Sequence, residues 1–322
     1  MYVTAFGVEA ALDGMNSEGL SFSVHTLYEE AHFPEAHNIT ADRADYGVGN
    51  HQLGLYLLAM HATVDEVVDQ LTKGERCRID AGRHEFCRGP GAPLAVFGQY
   101  FFATSAKMLV PEIHYSVWDK SGKGAVLEWV RDPSTQKSIL RVHSNTLGVF
   151  TNTPTFDYHK HSVRYYNHLS KHPVPTISVA SNETLHPPGL GSGLHGIPGD
   201  WTSSSRFIRA FKLLHAHKPR GKVETLKHAM SIIASVTQVP GASLTPQGVP
   251  ELTLFRLYKD LKRNVLYYDT MSGGALRAIR FGDLVDTEGC ANLDPEVSFK
   301  LYDDSGVVIQ HLDVTPPSTA TN

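Results

Sequence analysis

Two stretches that fold back on themselves limit most what this chain can become. Residues Ile113 to Val130, IHYSVWDKSGKGAVLEWV, hold two β-rich runs, Ile113 to Trp118 and Ala125 to Val130, joined by a polar turn that carries Gly122 and Gly124. Residues Leu252 to Thr270, LTLFRLYKDLKRNVLYYDT, repeat the plan with a turn near Lys262 to Asn264, and ALRAIRF adds a third run after Ser272-Gly273-Gly274. Short polar turns between β runs demand antiparallel pairing, because parallel neighbours need a long crossover. The chain is therefore expected to build antiparallel sheets, not an alternating parallel fold.

Helical spacing supplies the cover for those sheets. Leu53, Tyr56, Leu57 and Met60 fall at i, i+3, i+4 and i+7, one face of a helix. Thr63 with Glu66 forms a capping box in front of Val64, Val67, Val68 and Leu71, so a second helix starts there. Phe207, Ala210, Phe211 and Leu214 mark a third helix, with the preceding serines as its N-cap. Leu226, Ala229, Met230 and Ile233 mark a fourth, closed by Pro240-Gly241. The Pro-, Gly- and Ser-rich stretch 172–200 reads as a long surface loop. One domain over residues 1–312 is expected, with a disordered tail over residues 313–322.

Composition excludes partners more than it selects them. A formal net charge of −4 gives no electrostatic reason for nucleic acid or an anionic membrane. No apolar run reaches the roughly 18 residues that a membrane span needs, and the compartment stays open. Gly191 to Gly196 matches G-x-G-x-x-G but follows His-Pro-Pro-Gly instead of a strand, so dinucleotide binding lacks its context. Cys77, His84 and Cys87 lack the paired spacing of a zinc site. Neither a cofactor nor a metal is expected, and the eighteen histidines, His159 and His161 among them, read as scattered surface residues.

One cation is out of place. In GIPGDWTSSSRF, residues Gly196 to Phe207, Arg206 stands in the first turn of a helix, where the macrodipole and free N–H groups favour anions. An anion opposite Arg206 would account for it. On composition alone, Arg206 also fits an ion pair with Asp200, and Asn152 before Thr-Pro fits an Asx-type turn at a strand end.

Three separated stretches, DGMNSEGLSFSV (Asp13 to Val24), GVFTNTPTFDYH (Gly148 to His159) and the Arg206 segment, decide between those accounts. Together they resemble the choloylglycine hydrolase and penicillin V acylase family, a branch of the N-terminal nucleophile hydrolases, over nearly the whole chain. The resemblance implies a fold of α+β class, a four-layer αββα sandwich of antiparallel sheets. It also implies hydrolysis of a linear amide C–N bond by an N-terminal cysteine, whose α-amine manages the proton. Substrates of conjugated bile salt, penicillin V or N-acyl homoserine lactone type follow, as does a homotetramer.

Carried over residue by residue, the resemblance assigns Asn152 to substrate holding and the developing oxyanion, and Arg206 to the side facing the thiolate and its acidic partner. Thr26 aligns with the family's other oxyanion position, where its hydroxyl would donate with less reach than an amide. The family's opening hairpin, with cysteine, arginine and aspartate, has no counterpart ahead of DGMN, and Cys77, Cys87 and Cys290 cannot replace the nucleophile by position. An amide hydrolase without its first hairpin is the leading expectation, with bare sheet edges and poor stability when the chain is made alone. The alternative is a non-catalytic relative that binds a ligand in the same pocket. Phe22, Tyr28, Phe101 and Phe102 would line that pocket or belong to the core.

Overall fold

The computed structural model describes residues 2–3, 11–35, 47–73, 94–98, 101–103, 107–180, 182–187, 189–271 and 275–283. Strands β1 (Tyr2–Val3), β2 (Asp13–Met15) and β3 (Leu20–Thr26) come first. Two small pairs follow, β4 (Gly47–Gly49) parallel with β5 (Ala95–Phe97), and β6 (Phe101–Ala103) antiparallel with β7 (Lys107–Leu109). The first predicted hairpin forms as β8 (Ile113–Asp119) and β9 (Gly124–Arg131), and β10 (Ser138–Ser144) returns beside it. These strands make a six-stranded antiparallel sheet in the order β1-β2-β3-β8-β9-β10.

Register sorts the side chains of this sheet into two unlike faces. Phe22 pairs with Val117, and Tyr115 with Leu127, so both pairs point one way with Trp129. Helices α1 (Leu53–Met60) and α2 (Val64–Thr72) cover that face and bury Leu53, Leu57, Val64, Val67 and Leu71 against it. Full burial of each such side chain contributes about 1.5–3 kcal/mol. Gly54 permits the contact, since a Cβ there would lie 2.3 Å from the Phe22 ring. Phe22 is thus a core residue and does not line a pocket, while Tyr28 is exposed. The Thr63–Glu66 capping box opens α2 as predicted.

The smaller sheet lies on the opposite side. Helix α3 (Phe156–Ser162) and a short hairpin, β11 (Ile177–Ser178) with β12 (Thr184–Leu185), lead to the helix pair α4 (Ser203–Ala216) and α5 (Gly221–Val236). Strands β13 (Phe255–Asp260), β14 (Val265–Thr270) and β15 (Arg277–Arg280) form the predicted three-stranded sheet, against which α5 packs. Lys259 Nζ joins the two sheets by donating to Asp13 Oδ1 (2.7 Å), Ser23 Oγ (3.0 Å) and Phe22 O (3.3 Å). Helix, sheet, sheet and helix follow one another in this α+β arrangement.

The DGMN segment holds the fold together here. Asn16 donates to Leu58 O and His61 O and accepts from Leu20 N, which ties the β2–β3 turn to α1. Gly19 sits at φ 82°, and a Cβ there would meet Leu261 O at 2.6 Å.

Three local expectations need correction. Thr202, not a serine, caps α4, because its side chain accepts from Ser205 N at extended backbone angles. Helix α5 ends at Val236, before Pro240-Gly241, where Thr237 turns to extended backbone. The stretch 172–200 is not loop throughout, since Ile177 and Ser178 pair with Leu185 and Thr184. Cys77, His84, Cys87, Cys290, the tail 313–322 and the side chains of Phe101 and Phe102 lie outside the described residues. No described helix is long and apolar enough to cross a membrane.

Candidate active site

The inner face of the six-stranded sheet carries polar side chains where the outer face carries core. Ser23, His25, His114, Ser116, Glu128 and His143 alternate with the apolar set along β3, β8, β9 and β10. Over this face runs the segment 150–156, which leaves β10 through a tight turn. Asn145 builds that turn, donating to Val149 O (3.0 Å) and accepting from Gly148 N (3.0 Å).

Asn152, Arg206 and Thr26 come together at this segment from three different elements. Arg206 Nη2 donates to Asn152 Oδ1 at 3.0 Å, while Arg206 Nε donates to Trp201 O at 3.1 Å. Thr153 N donates to Thr26 O at 2.8 Å, and Tyr28 N donates to Thr153 Oγ1 at 2.6 Å, so the end of β3 lies alongside Asn152. Thr26 itself is exposed and joins through its carbonyl. Its hydroxyl makes no hydrogen bond among the described residues.

The Arg206 bond settles the orientation of the Asn152 amide. A guanidinium only donates, so the carbonyl oxygen faces it and the two Nδ2 hydrogens remain available to another acceptor. The Asn152 backbone is held as well. Ser203 Oγ donates to Asn152 O at 2.8 Å, and His159 Nε2 lies 2.9 Å from the same oxygen.

Asp200 does not answer for Arg206. Its carboxylate accepts from Ser205 Oγ (2.6 Å), Thr202 Oγ1 (2.6 Å) and Thr202 N (3.0 Å), which lowers its pKa to about 2. It serves as the anion at the start of α4. Arg206 is partly buried, and burial, aided by Arg209 and opposed by Glu251, lowers its pKa from the ordinary arginine value. Its hydrogen-bond partners are neutral oxygens, and no carboxylate among the described residues pairs with it. A desolvated cation with neutral partners favours an anion beside it.

Behind Asn152 lies a network that sequence reading missed. His114 and Glu128, both fully buried, lie 2.9 Å apart, and Glu128 Oε1 also accepts from Phe156 N at 2.8 Å. His114 Nε2 lies 2.9 Å from Thr151 O, so both ring nitrogens face oxygen acceptors. Burial alone would raise the Glu128 pKa; hydrogen bonds from His114 and His143, the charge of His114 and the Phe156 N–H bring it down to about 2. His25 packs edge-on to Phe150 with ring centroids 4.7 Å apart. Burial first, then His114, Arg206 and Lys259, lowers its pKa to about 3.

His159 is not a scattered surface histidine. It is buried, stacks on Phe207 with centroids 4.6 Å apart, and is held neutral chiefly by burial. The signals for this network were present in the text of the chain. Glu128 is a single carboxylate inside the apolar run AVLEWV, and His114 alternates with Tyr115 and Val117 on the opposite face.

The arrangement offers Arg206 and Lys259 as cations and Asn152 as an amide donor, with His25 and His159 kept from protonating by burial beside them. It can hold and polarise a carbonyl oxygen. Among the described residues no group of three His, Cys, Asp or Glu side chains forms a metal site.

Comparison with known proteins gives this geometry its relatives. A bile salt hydrolase/transferase of Clostridium perfringens is 28% identical over 273 residues, 83% of this chain and 71% of that protein. A penicillin V acylase of Pectobacterium atrosepticum is 25% identical over 82% of this chain, which spans 60% of that relative's length. A crystal structure of a conjugated bile acid hydrolase variant from Clostridium perfringens superposes with a TM-score of 0.71 at 23% identity, covering 96% of this chain and 82% of that one. It shows that the chain shares the fold of that conjugated bile acid hydrolase. The family model for linear amide C–N hydrolases, choloylglycine hydrolase family, matches residues 4–285, and the chain belongs to that family.

Proposed function

We propose that this chain carries the substrate-holding and oxyanion-stabilising side of a linear amide C–N hydrolase. The observation that supports the reading most is the 3.0 Å bond from Arg206 to Asn152 Oδ1, which leaves the amide hydrogens of Asn152 for a substrate carbonyl. A carbonyl oxygen gains negative charge as a nucleophile adds to its carbon. A fixed N–H donor next to a desolvated cation stabilises that charge more than it stabilises the neutral amide. The Thr26 hydroxyl is the second donor in this reading.

The nucleophile such chemistry needs is not among the described residues, and the reading assigns it to an N-terminal cysteine outside them. Its thiolate adds to the carbonyl, the amine departs with a proton passed by the α-amino group, and water then releases the acid from the thioester. The substrates are amides of conjugated bile salt, penicillin V or N-acyl homoserine lactone type, and the assembly is a homotetramer.

The test begins with intact mass and N-terminal sequencing of the protein from its natural source. Amine release is then measured from glycocholate, penicillin V and an N-acyl homoserine lactone. Turnover that is blocked by alkylation of an N-terminal cysteine supports the reading. Binding of these amides without turnover would replace it with the ligand-binding alternative, and neither binding nor turnover would sink both.

A further inference from the structure

Resting on the amide-hydrolase reading, we propose that Glu128 is a positioning residue for Asn152, acting through His114 and the first turn of α3. The segment 150–156 is fastened at two points by one buried pair. Glu128 Oε1 accepts from Phe156 N at 2.8 Å, which holds the far end of the segment. His114 stands between Glu128 and Thr151 O, 2.9 Å from each, which holds the near end next to Asn152. The Phe150 ring lies 4.4 Å from the His114 ring, so the residue before Thr151 is packed on the same support.

The chemistry of the pair explains why a carboxylate stands there. Both His114 nitrogens face oxygens, so both bonds hold only when the ring donates twice and carries a charge. A fully buried imidazolium needs an anion beside it, and Glu128 is that anion. Without the carboxylate the ring gives up one of its two bonds, and one end of the segment is released. Asn152 then keeps its Arg206 contact but loses its height over the sheet.

Glu128 touches no substrate in this account, so its removal changes rate and not affinity. A donor that acts on developing charge lowers kcat when displaced and leaves KM nearly unchanged. Displacement by about 1 Å costs on the order of 100-fold. Glutamine keeps an oxygen for both donors but not the charge, so it should fall between glutamate and leucine.

The experiment uses the whole protein with penicillin V and glycocholate as amide probes. Glu128→Leu is expected to lower kcat about 100-fold with KM within about twofold, and Glu128→Gln to recover about a tenth of the wild-type rate. Both variants are also labelled with 15N asparagine, and the Asn152 side-chain signal is identified by its loss in Asn152→Ala. That signal should move most in Glu128→Leu and less in Glu128→Gln. An unmoved Asn152 signal with an undiminished kcat in folded Glu128→Leu would overturn the proposal. If Glu128→Leu does not fold, an unmoved signal in Glu128→Gln overturns it equally. If the wild type turns over neither probe, the amide-hydrolase reading falls while the Asn152 signal still decides whether Glu128 positions it.

Discussion

The two faces of the six-stranded sheet are built from the same strands and meet opposite fates. On the outer face Phe22, Tyr115, Leu127 and Trp129 close against α1 and α2 without a charged group among them. On the inner face, at the alternate positions of the same strands, His25, His114 and Glu128 sit under the loop that carries Asn152, which Arg206 of α4 meets. The outer face is stabilised by apolar area removed from water, which is insensitive to direction. The inner face depends on directed bonds, each of which fixes the orientation of another group. A change on the outer face should therefore appear as stability and a change on the inner face as chemistry.

The largest expected effect tests the outer face. Phe22→Ala should destabilise the chain by about 3–5 kcal/mol, read from denaturant unfolding, because a fully buried ring leaves a cavity beside Gly54. If the same variant, while folded, also lost most of its amide turnover, the two faces would not be separable. Next comes Asn152→Ala, expected to lower kcat by about 100- to 1000-fold while the melting temperature stays close to wild type. A large loss of stability with a small loss of rate would reverse the assignment.

A smaller effect concerns acid. The folded pKa of His25 is about 3 against an ordinary 6.5, so the unfolded chain binds a proton that the folded chain refuses across that window. Stability therefore falls as pH drops from about 7 to 5, and the His25→Leu variant should lose about 2 kcal/mol less than wild type over that range. Parallel melts at the two pH values check it, and equal losses would show that His25 is not desolvated. Glu128, lowered to about 2, adds to acid lability in the same direction, its contribution being lost as pH falls from its ordinary 4.5. The smallest effect is on the exposed Lys123–Asp65 pair at the start of α2, where Lys123→Met should change stability by no more than about 0.5 kcal/mol.

What could be read in advance follows from the range of each interaction. The hairpins β8–β9 and β13–β14, the α1 stripe and the Thr63–Glu66 capping box rest on contacts within a few residues, and the linear order of side chains displays them. Arg206 was legible as an anomaly because the helix dipole is local too. Asn152 and Thr26 entered only through the resemblance of their surrounding motifs. The DGMN segment proved to be a clamp on α1 and β13, since its partners Leu58, His61 and Lys259 are 42 to 246 residues away.

By itself, then, the sequence determined that antiparallel hairpins would be covered by amphipathic helices, because periodicity and turn chemistry act at short separation. It also determined, through its motifs, which family the chain joins. Only the tertiary structure decided that Asp200 turns its carboxylate to Thr202 and Ser205 instead of Arg206. Only it brought His114, Glu128 and His159 beneath Asn152. The physical reason is the same in each case. A buried polar group takes whichever complementary atom the packed chain brings within about 3 Å, and that partner is a property of the fold rather than of neighbouring residues.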